Sequence, residues 1–94
     1  MMEFTYKDNG NNNGAFEYEV NGERVAEITW VLRDGVMVMD HTYVSNALRG
    51  QGVAKKLLDT AANYARENNF KMKALCSYVV SSFENSDAYD DVKV

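Results

Sequence analysis

The chain has no proline, and only one cysteine, one histidine and one tryptophan in 94 residues. The lone cysteine, Cys76, excludes an internal disulfide, so packing alone must hold the fold, which suits a reducing compartment. One histidine and one cysteine do not make a zinc site, and the carboxylates near residues 84–91 lack calcium-loop spacing, so no metal is expected. Positive charge is scarce: 10 Lys and Arg stand against 14 Asp and Glu, a net charge of −4. That excludes a general nucleic-acid binder, which needs a basic surface to displace counterions from phosphates. It leans toward an amine-bearing partner, although simple solubility accounts for it equally. The opening MMEFTYKDNG has no apolar stretch flanked by basic residues, so no signal peptide is read there. No run approaches the length of a membrane span. A cytoplasmic location without a membrane partner is expected. No repeat, low-complexity tract or linker interrupts the sequence, and a chain this short has room for one core, so residues 1–94 are read as a single domain.

What is present alternates in the first half and turns helical in the second. Phe4 and Tyr6 open a strand, closed by the Asn- and Gly-rich run from Asp8 to Gly14, which reads as a loop or hairpin tip. Phe16, Tyr18 and Val20 alternate with Glu17 and Glu19, the period of a half-buried strand. Asn21-Gly22 is a strong hairpin signal, and Arg24 to Arg33 forms a third strand with Trp30 and Leu32 in the sheet core. Asp34-Gly35 turns the chain into a fourth strand, Val36 to Val44. From Gly52 to Asn68 the apolar positions Val53, Ala54, Leu57, Leu58, Ala61, Ala62 and Ala65 lie on one face of a helix, and Asn68-Asn69 stops it. Lys71 to Cys76 reads as a short strand and Tyr78 to Phe83 as the core of a second helix, with Ser77 as its cap. The acidic tail, Ser86 to Val94, stays ambiguous. The order β-β-β-β-α-β-α gives an α/β (α+β) domain: an antiparallel four-strand meander, then α-β-α with strand five parallel to strand four.

The most informative segment is Arg49-Gly50-Gln51-Gly52-Val53-Ala54, where a strand feeds a glycine-bearing turn that opens into a helix. The first amides of a helix lack internal partners, and the helix dipole adds partial positive charge, so the turn suits a pyrophosphate. Glycine at 50 and 52 lets the backbone approach phosphate oxygens. Arg49 with Lys55 or Lys56 can add charge, although the lysines also read as surface residues covering the helix stem. An ordinary flexible turn is the alternative. The turn is neither a dinucleotide fingerprint, lacking the third glycine and the acidic residue, nor a P-loop.

The same residues resemble the Gln/Arg-x-x-Gly-x-Gly/Ala motif of the GNAT superfamily of N-acetyltransferases, at Arg49, Gly52 and Ala54. More narrowly, Asp40-His41-Thr42-x-Val44, Ala65-Arg66, Cys76-Ser77-Tyr78-Val79 and the tail from Asp87 to Val92 are similar to the small YjdJ-type subfamily. The resemblance implies a minimal GNAT-like fold in which strands four and five splay apart. It also implies acetyl-CoA as cofactor, its pantetheine arm along the backbone of Thr42, Tyr43 and Val44. The pyrophosphate would then lie on the amides of Arg49, Gly50, Gln51, Gly52, Val53 and Ala54. The helices that follow the first strand of larger members are missing, which leaves the acceptor substrate undefined.

Acyl transfer from a thioester needs an unprotonated nucleophile, an oxyanion stabiliser and a proton for the departing thiol. Cys76 ends the parallel strand just before a helix, where a helix N-terminus can lower a thiol pKa, and it can accept the acetyl group. It reads equally as a small buried hydrophobe. His41 is a candidate general base, or else a structural histidine; strand parity puts it on one face with Met37, Met39 and Tyr43. Tyr78 and Tyr89 are weaker candidates for protonating the leaving thiolate. The expectation is an N-acetyltransferase acting on an amine, monomeric or weakly dimeric. The alternatives are a non-catalytic acyl-CoA-binding or sensing module, and an interaction domain without a cofactor.

Overall fold

The computed structural model describes residues 2–94. Five strands form one sheet in the order β1-β2-β3-β4-β5: Thr5–Gly10, Asn13–Val20, Glu23–Arg33, Val36–Val44 and Lys71–Ala74. The first four are antiparallel, and β5 runs parallel to β4. Helix α1 (Val53–Glu67) connects β4 to β5, and α2 (Ser77–Asn85) follows β5. The expected fold is therefore the observed one.

Each of the three hairpins closes with two residues at positive φ: Asn11-Asn12 at 53° and 64°, Asn21-Gly22 at 53° and 80°, and Asp34-Gly35 at 51° and 78°. Paired positive φ matches the twist of antiparallel strands, and Asn, Asp and Gly tolerate it best. Of the two forms expected for Asp8–Gly14, the hairpin tip is the one observed, and it is tight: β1 runs to Gly10, β2 starts at Asn13, and the turn is Asn11-Asn12 alone. Gly14 serves contact rather than turning: a Cβ there would lie 2.6 Å from the Trp30 ring, so only glycine lets the indole cross β2.

The core lies between α1 and the sheet. Val53, Leu57, Leu58, Ala61, Ala62 and Ala65 present one buried stripe to Ala26, Ile28, Trp30, Met37, Met39 and Met72. Alanine at three of the six stripe positions brings the helix backbone close to the sheet. Full burial of a leucine such as Leu57 contributes roughly 1.5–3 kcal/mol. Val79 and Phe83 of α2 join this core, together with Tyr89 and Val92 of the tail. The tail is thus ordered structure: Met72 donates to Val92 O at 2.7 Å and accepts from the Val94 amide at 3.0 Å, so the chain end covers the free edge of β5.

Each antiparallel pair contains a register shift, and the one between β3 and β4 changes which way side chains point. In β3–β4, Thr29 pairs with His41 but Trp30 pairs with Met39, so Asp40 is an extra residue. Parity therefore resets within β4. Thr42 and Val44 lie opposite the core residues Ile28 and Ala26, whereas His41 and Tyr43 lie opposite Thr29 and Glu27 on the other face. The expectation that His41 shares a face with Met37 and Met39 is overturned for this reason. A second register shift separates Tyr18 from Glu19 in β2. Glu17, expected on a wet face, is only 8 % exposed. It sits opposite Glu27, and Arg24 approaches the two carboxylates at 3.6 and 3.4 Å.

Candidate functional site

Strand β4 outruns β5. Their pairing ends at Met39–Ala74, where the amides of Leu75 and Cys76 both donate to Met39 O, at 3.1 and 2.9 Å. Beyond that fork β5 gives way to α2, and the Asp40 bulge bends β4, so residues 40–44 have no strand on their β5 side among the described residues. The strand expected to reach Cys76 stops at Ala74 for this reason.

Into this end of the sheet opens a cavity of about 460 Å³, lined by Thr42, Val44, Leu48, Arg49, Gly50, Gly52, Val53, Ala54, Lys55 and Tyr78. A short 3-10 turn (Asn46–Leu48) links β4 to the glycine turn. Gly50 and Gly52 have φ of 84° and 71°, and a Cβ at either would meet no protein atom within 4 Å. Gly52 is the N-cap of α1 in the left-handed conformation; no side chain caps the helix, and no acidic residue occupies its first turn. The Arg49 and Gln51 amides are taken up within the turn, donating to Asn46 O and Leu48 O at 3.3 Å each. The amides of Gly50, Gly52, Val53, Ala54 and Lys55 have no acceptor among the described residues, and the first helical bond is Lys56 N–H to Gly52 O. Open space, unpaired donors and the positive end of a 15-residue helix fit an oxyanion.

The sequence candidates separate. Thr42, Val44, Arg49, Gly50, Gly52, Val53 and Ala54 line the cavity, whereas Tyr43 (44 % exposed) and Gln51 do not. Cys76 is the N-cap of α2 in extended backbone, and Ser77, read as the cap, is instead the first helical residue. The Cys76 sulfur is partly buried and lies 3.4 Å from Thr42 Oγ1. His41 takes no part in this pair: its side chain is 56 % exposed, and its Nε2 lies 3.5 Å from Glu27 Oε2 on the other face. Tyr78 lines the cavity. Tyr89 does not; its hydroxyl donates to Asp59 at 2.6 Å, and burial followed by the Asp59 hydrogen bond pushes its pKa well above the ordinary range, away from acid duty.

Two residues at or behind the cavity wall escaped the sequence reading. Leu48 closes one wall from the 3-10 turn, where no periodicity marks it. Asp59 does not line the cavity but binds Lys55, which does, at 2.7 Å. Its i,i+4 spacing from Lys55 was the signal available. Among the described residues no cluster of three or more His, Cys, Asp or Glu could hold a metal ion.

Residues 15–92 match the family model described as GCN5-related N-acetyl-transferase. Among solved structures, a GCN5-like protein of Staphylococcus aureus determined by NMR is 40 % identical, with a TM-score of 0.71; the alignment covers 96 % of this chain and 87 % of that one. A ribosomal-protein-alanine N-acetyltransferase of Brucella melitensis is 24 % identical, TM-score 0.63, covering 92 % of this chain and 64 % of that one. A GNAT family acetyltransferase of Elizabethkingia anophelis, solved with acetyl-CoA bound, is 12 % identical, TM-score 0.64, covering 76 % and 62 %. The last two show likeness of fold alone. No curated protein matches the chain in sequence.

Proposed function

Because the chain belongs to the GCN5-related N-acetyltransferase family, we propose that it binds acetyl-CoA in the cavity at the start of α1 and transfers the acetyl group to an amine. The observation that carries this reading is the set of amides at Gly50, Gly52, Val53, Ala54 and Lys55, without an acceptor among the described residues, on residues that line the cavity beside the splayed edge of β4. In this reading the diphosphate rests on the amides of Gly50, Gly52, Val53 and Ala54, with Arg49 and Lys55 beside it. The pantetheine arm follows the strand edge at Thr42 to Val44, which β5 leaves unpaired. The bound thioester supplies an activated acetyl group. The YjdJ-type resemblance belongs to the same reading.

Cys76 is the proposed nucleophile within the chain, since its sulfur touches Thr42, a cavity residue. The new bond joins the acetyl carbon to Sγ as the carbon–sulfur bond to coenzyme A breaks, and the Cys76 proton ends on the departing sulfur. Tyr78, on the cavity wall, is the proposed relay for that proton. An amine then takes the acetyl group and regenerates the thiol. His41, turned toward Glu27, has no role in this scheme. Its position away from the cavity favours the second reading, an acyl-CoA-binding module without turnover.

Two variants at one position test binding. Asn and Asp both tolerate the left-handed backbone of Gly52 and differ in charge. Gly52→Asp is expected to weaken acetyl-CoA binding far more than Gly52→Asn, by calorimetry on samples checked for fold by circular dichroism. Equal affinities would remove the phosphate site. Intact-mass analysis after incubation with acetyl-CoA separates the two readings. Turnover with amines, and an adduct absent from Cys76→Ala, support transfer; binding without either supports the module.

A further inference from the structure

The two cations of the cavity are not equivalent. Arg49 has no ion-pair partner among the described residues, whereas Lys55 is engaged, with its Nζ 2.7 Å from Asp59 Oδ2 one helical turn on. Nor is Asp59 a loose surface carboxylate. Its other oxygen accepts the Tyr89 hydroxyl at 2.6 Å, and Tyr89 is 3 % exposed with its ring packed on Phe83. The segment carrying Tyr89 is tied down on both sides: Arg66 grips Asp91 with Nε and Nη2, at 2.7 and 3.0 Å, and reaches Ala88 O at 2.9 Å. Val92 and Val94 bond to Met72. Asp59 is therefore held in place from the C-terminal segment.

We propose that Asp59 is a built-in competitor for the phosphates of an acyl-CoA. It occupies Lys55 and fixes a negative charge beside the cavity, with Tyr89 as its positioning residue. This rests on the reading that the cavity takes a diphosphate, and extends it by assigning a residue whose effect is to hold affinity down. An incoming diphosphate either draws Lys55 away from Asp59 or binds beside the intact pair. In both cases it meets a carboxylate that does not swing away, because the Tyr89 hydroxyl pins it. Burial pushes the Asp59 carboxyl upward, but hydrogen bonds from Lys55 and Tyr89 outweigh burial and keep it below the ordinary range, so the group is an anion at neutral pH.

The test is a gain of affinity, which partial unfolding cannot mimic. Asp59→Asn keeps the size and a carbonyl oxygen for Tyr89 while removing the charge. Calorimetry at low ionic strength is expected to show coenzyme A binding about two- to fivefold more tightly, the scale of one screened surface charge. The gain should fade at about 0.5 M salt, and should be absent for pantetheine, which carries no phosphate. In a Lys55→Ala background the same substitution should gain less, because part of the effect runs through the freed lysine. Unchanged or weaker coenzyme A binding by Asp59→Asn overturns the proposal. So does a gain that persists with pantetheine or at high salt, or one undiminished without Lys55. Failure of the wild-type chain to bind coenzyme A at all is a different result, and removes the diphosphate reading itself.

Discussion

The hydroxyl of Thr42 lies 3.4 Å from the sulfur of Cys76, joining β4 to the N-cap of α2 across the point where β4 and β5 part. The contact restrains a lone cysteine against a residue of the cavity wall, and either atom can donate. A hydroxyl donating to the sulfur anion would favour reaction. The net worth of such a bond, about 0.5–1.5 kcal/mol, corresponds to roughly two- to tenfold in rate. Thr42→Val is therefore expected to slow iodoacetamide alkylation of Cys76 by about that factor near neutral pH, with Thr42→Ser restoring it. Because the reagent needs no cofactor, the result stands apart from acetyl-CoA binding. Faster alkylation in Thr42→Val would make the thiol the donor and Thr42 a restraint.

Gly14→Ala tests the close approach of Trp30 to β2. The added Cβ would lie 2.6–2.8 Å from three atoms of the indole, which itself packs at a tilt against Phe16, Tyr64 and Tyr6. Neither backbone nor ring can yield without disturbing that cluster. Overpacking of this kind typically costs about 1–3 kcal/mol. Urea denaturation should show a loss on that scale with an unchanged slope. A variant as stable as the parent would mean that the ring has room to shift.

Much of this arrangement was legible in the sequence. Asn21-Gly22 and Asp34-Gly35 mark two turns correctly, the β4 limits agree with those observed, and the helix expected from Gly52 to Asn68 matches α1 to within a residue at each end. These signals are local: backbone preference at a turn and period along a helix. The misses arise from pairing between segments. Asp40 bulges because β3 and β4 meet out of step there, and one inserted residue leaves no mark in composition. His41 was misplaced as a result. Glu17 is covered by its neighbours on β1 and β3, Thr5 and Glu27, and by Arg24, while its own segment alternates as an exposed glutamate should. The acidic tail is ambiguous in sequence, yet Tyr89 and Val92 are core residues and Asp91 is claimed by Arg66, 25 positions earlier.

Acid should release that tail before the core. The Arg66 hydrogen bonds hold the Asp91 carboxyl below its ordinary value of 3.8, and those from Lys55 and Tyr89 do the same for Asp59 against its burial. A carboxylate whose pKa is lower in the folded state adds stability that is complete above the ordinary range. That stability disappears as pH falls through the ordinary value and then the folded one. Exchange protection of the Met72 and Val94 amides, which form the tail pairing, should therefore fall below about pH 4 while that of β3 persists. Arg66→Ala should bring on the same loss at neutral pH. Uniform loss across the sheet would show that the tail is no separate unit.

Deletion of Asp40 asks whether the bulge opens the site. With Asp40 removed, Met39 and His41 become neighbours, each already paired with consecutive residues of β3, Trp30 and Thr29. The inward set of Thr42 and Val44 is fixed by their partners Ile28 and Ala26, so the core should survive. The casualties are the Thr29 Oγ1–Asp40 Oδ1 hydrogen bond of 2.6 Å and the bend in β4. A straightened β4 would run closer to the start of α2, narrowing the gap that separates Thr42 and Val44 from Tyr78 across the cavity. The deletion should thus leave the fold cooperative by denaturation while weakening acetyl-CoA binding at least tenfold, about 1.4 kcal/mol or more. Unchanged affinity in the folded variant would assign the splay to the fork at Met39 O alone, where Leu75 and Cys76 turn the chain out of the sheet.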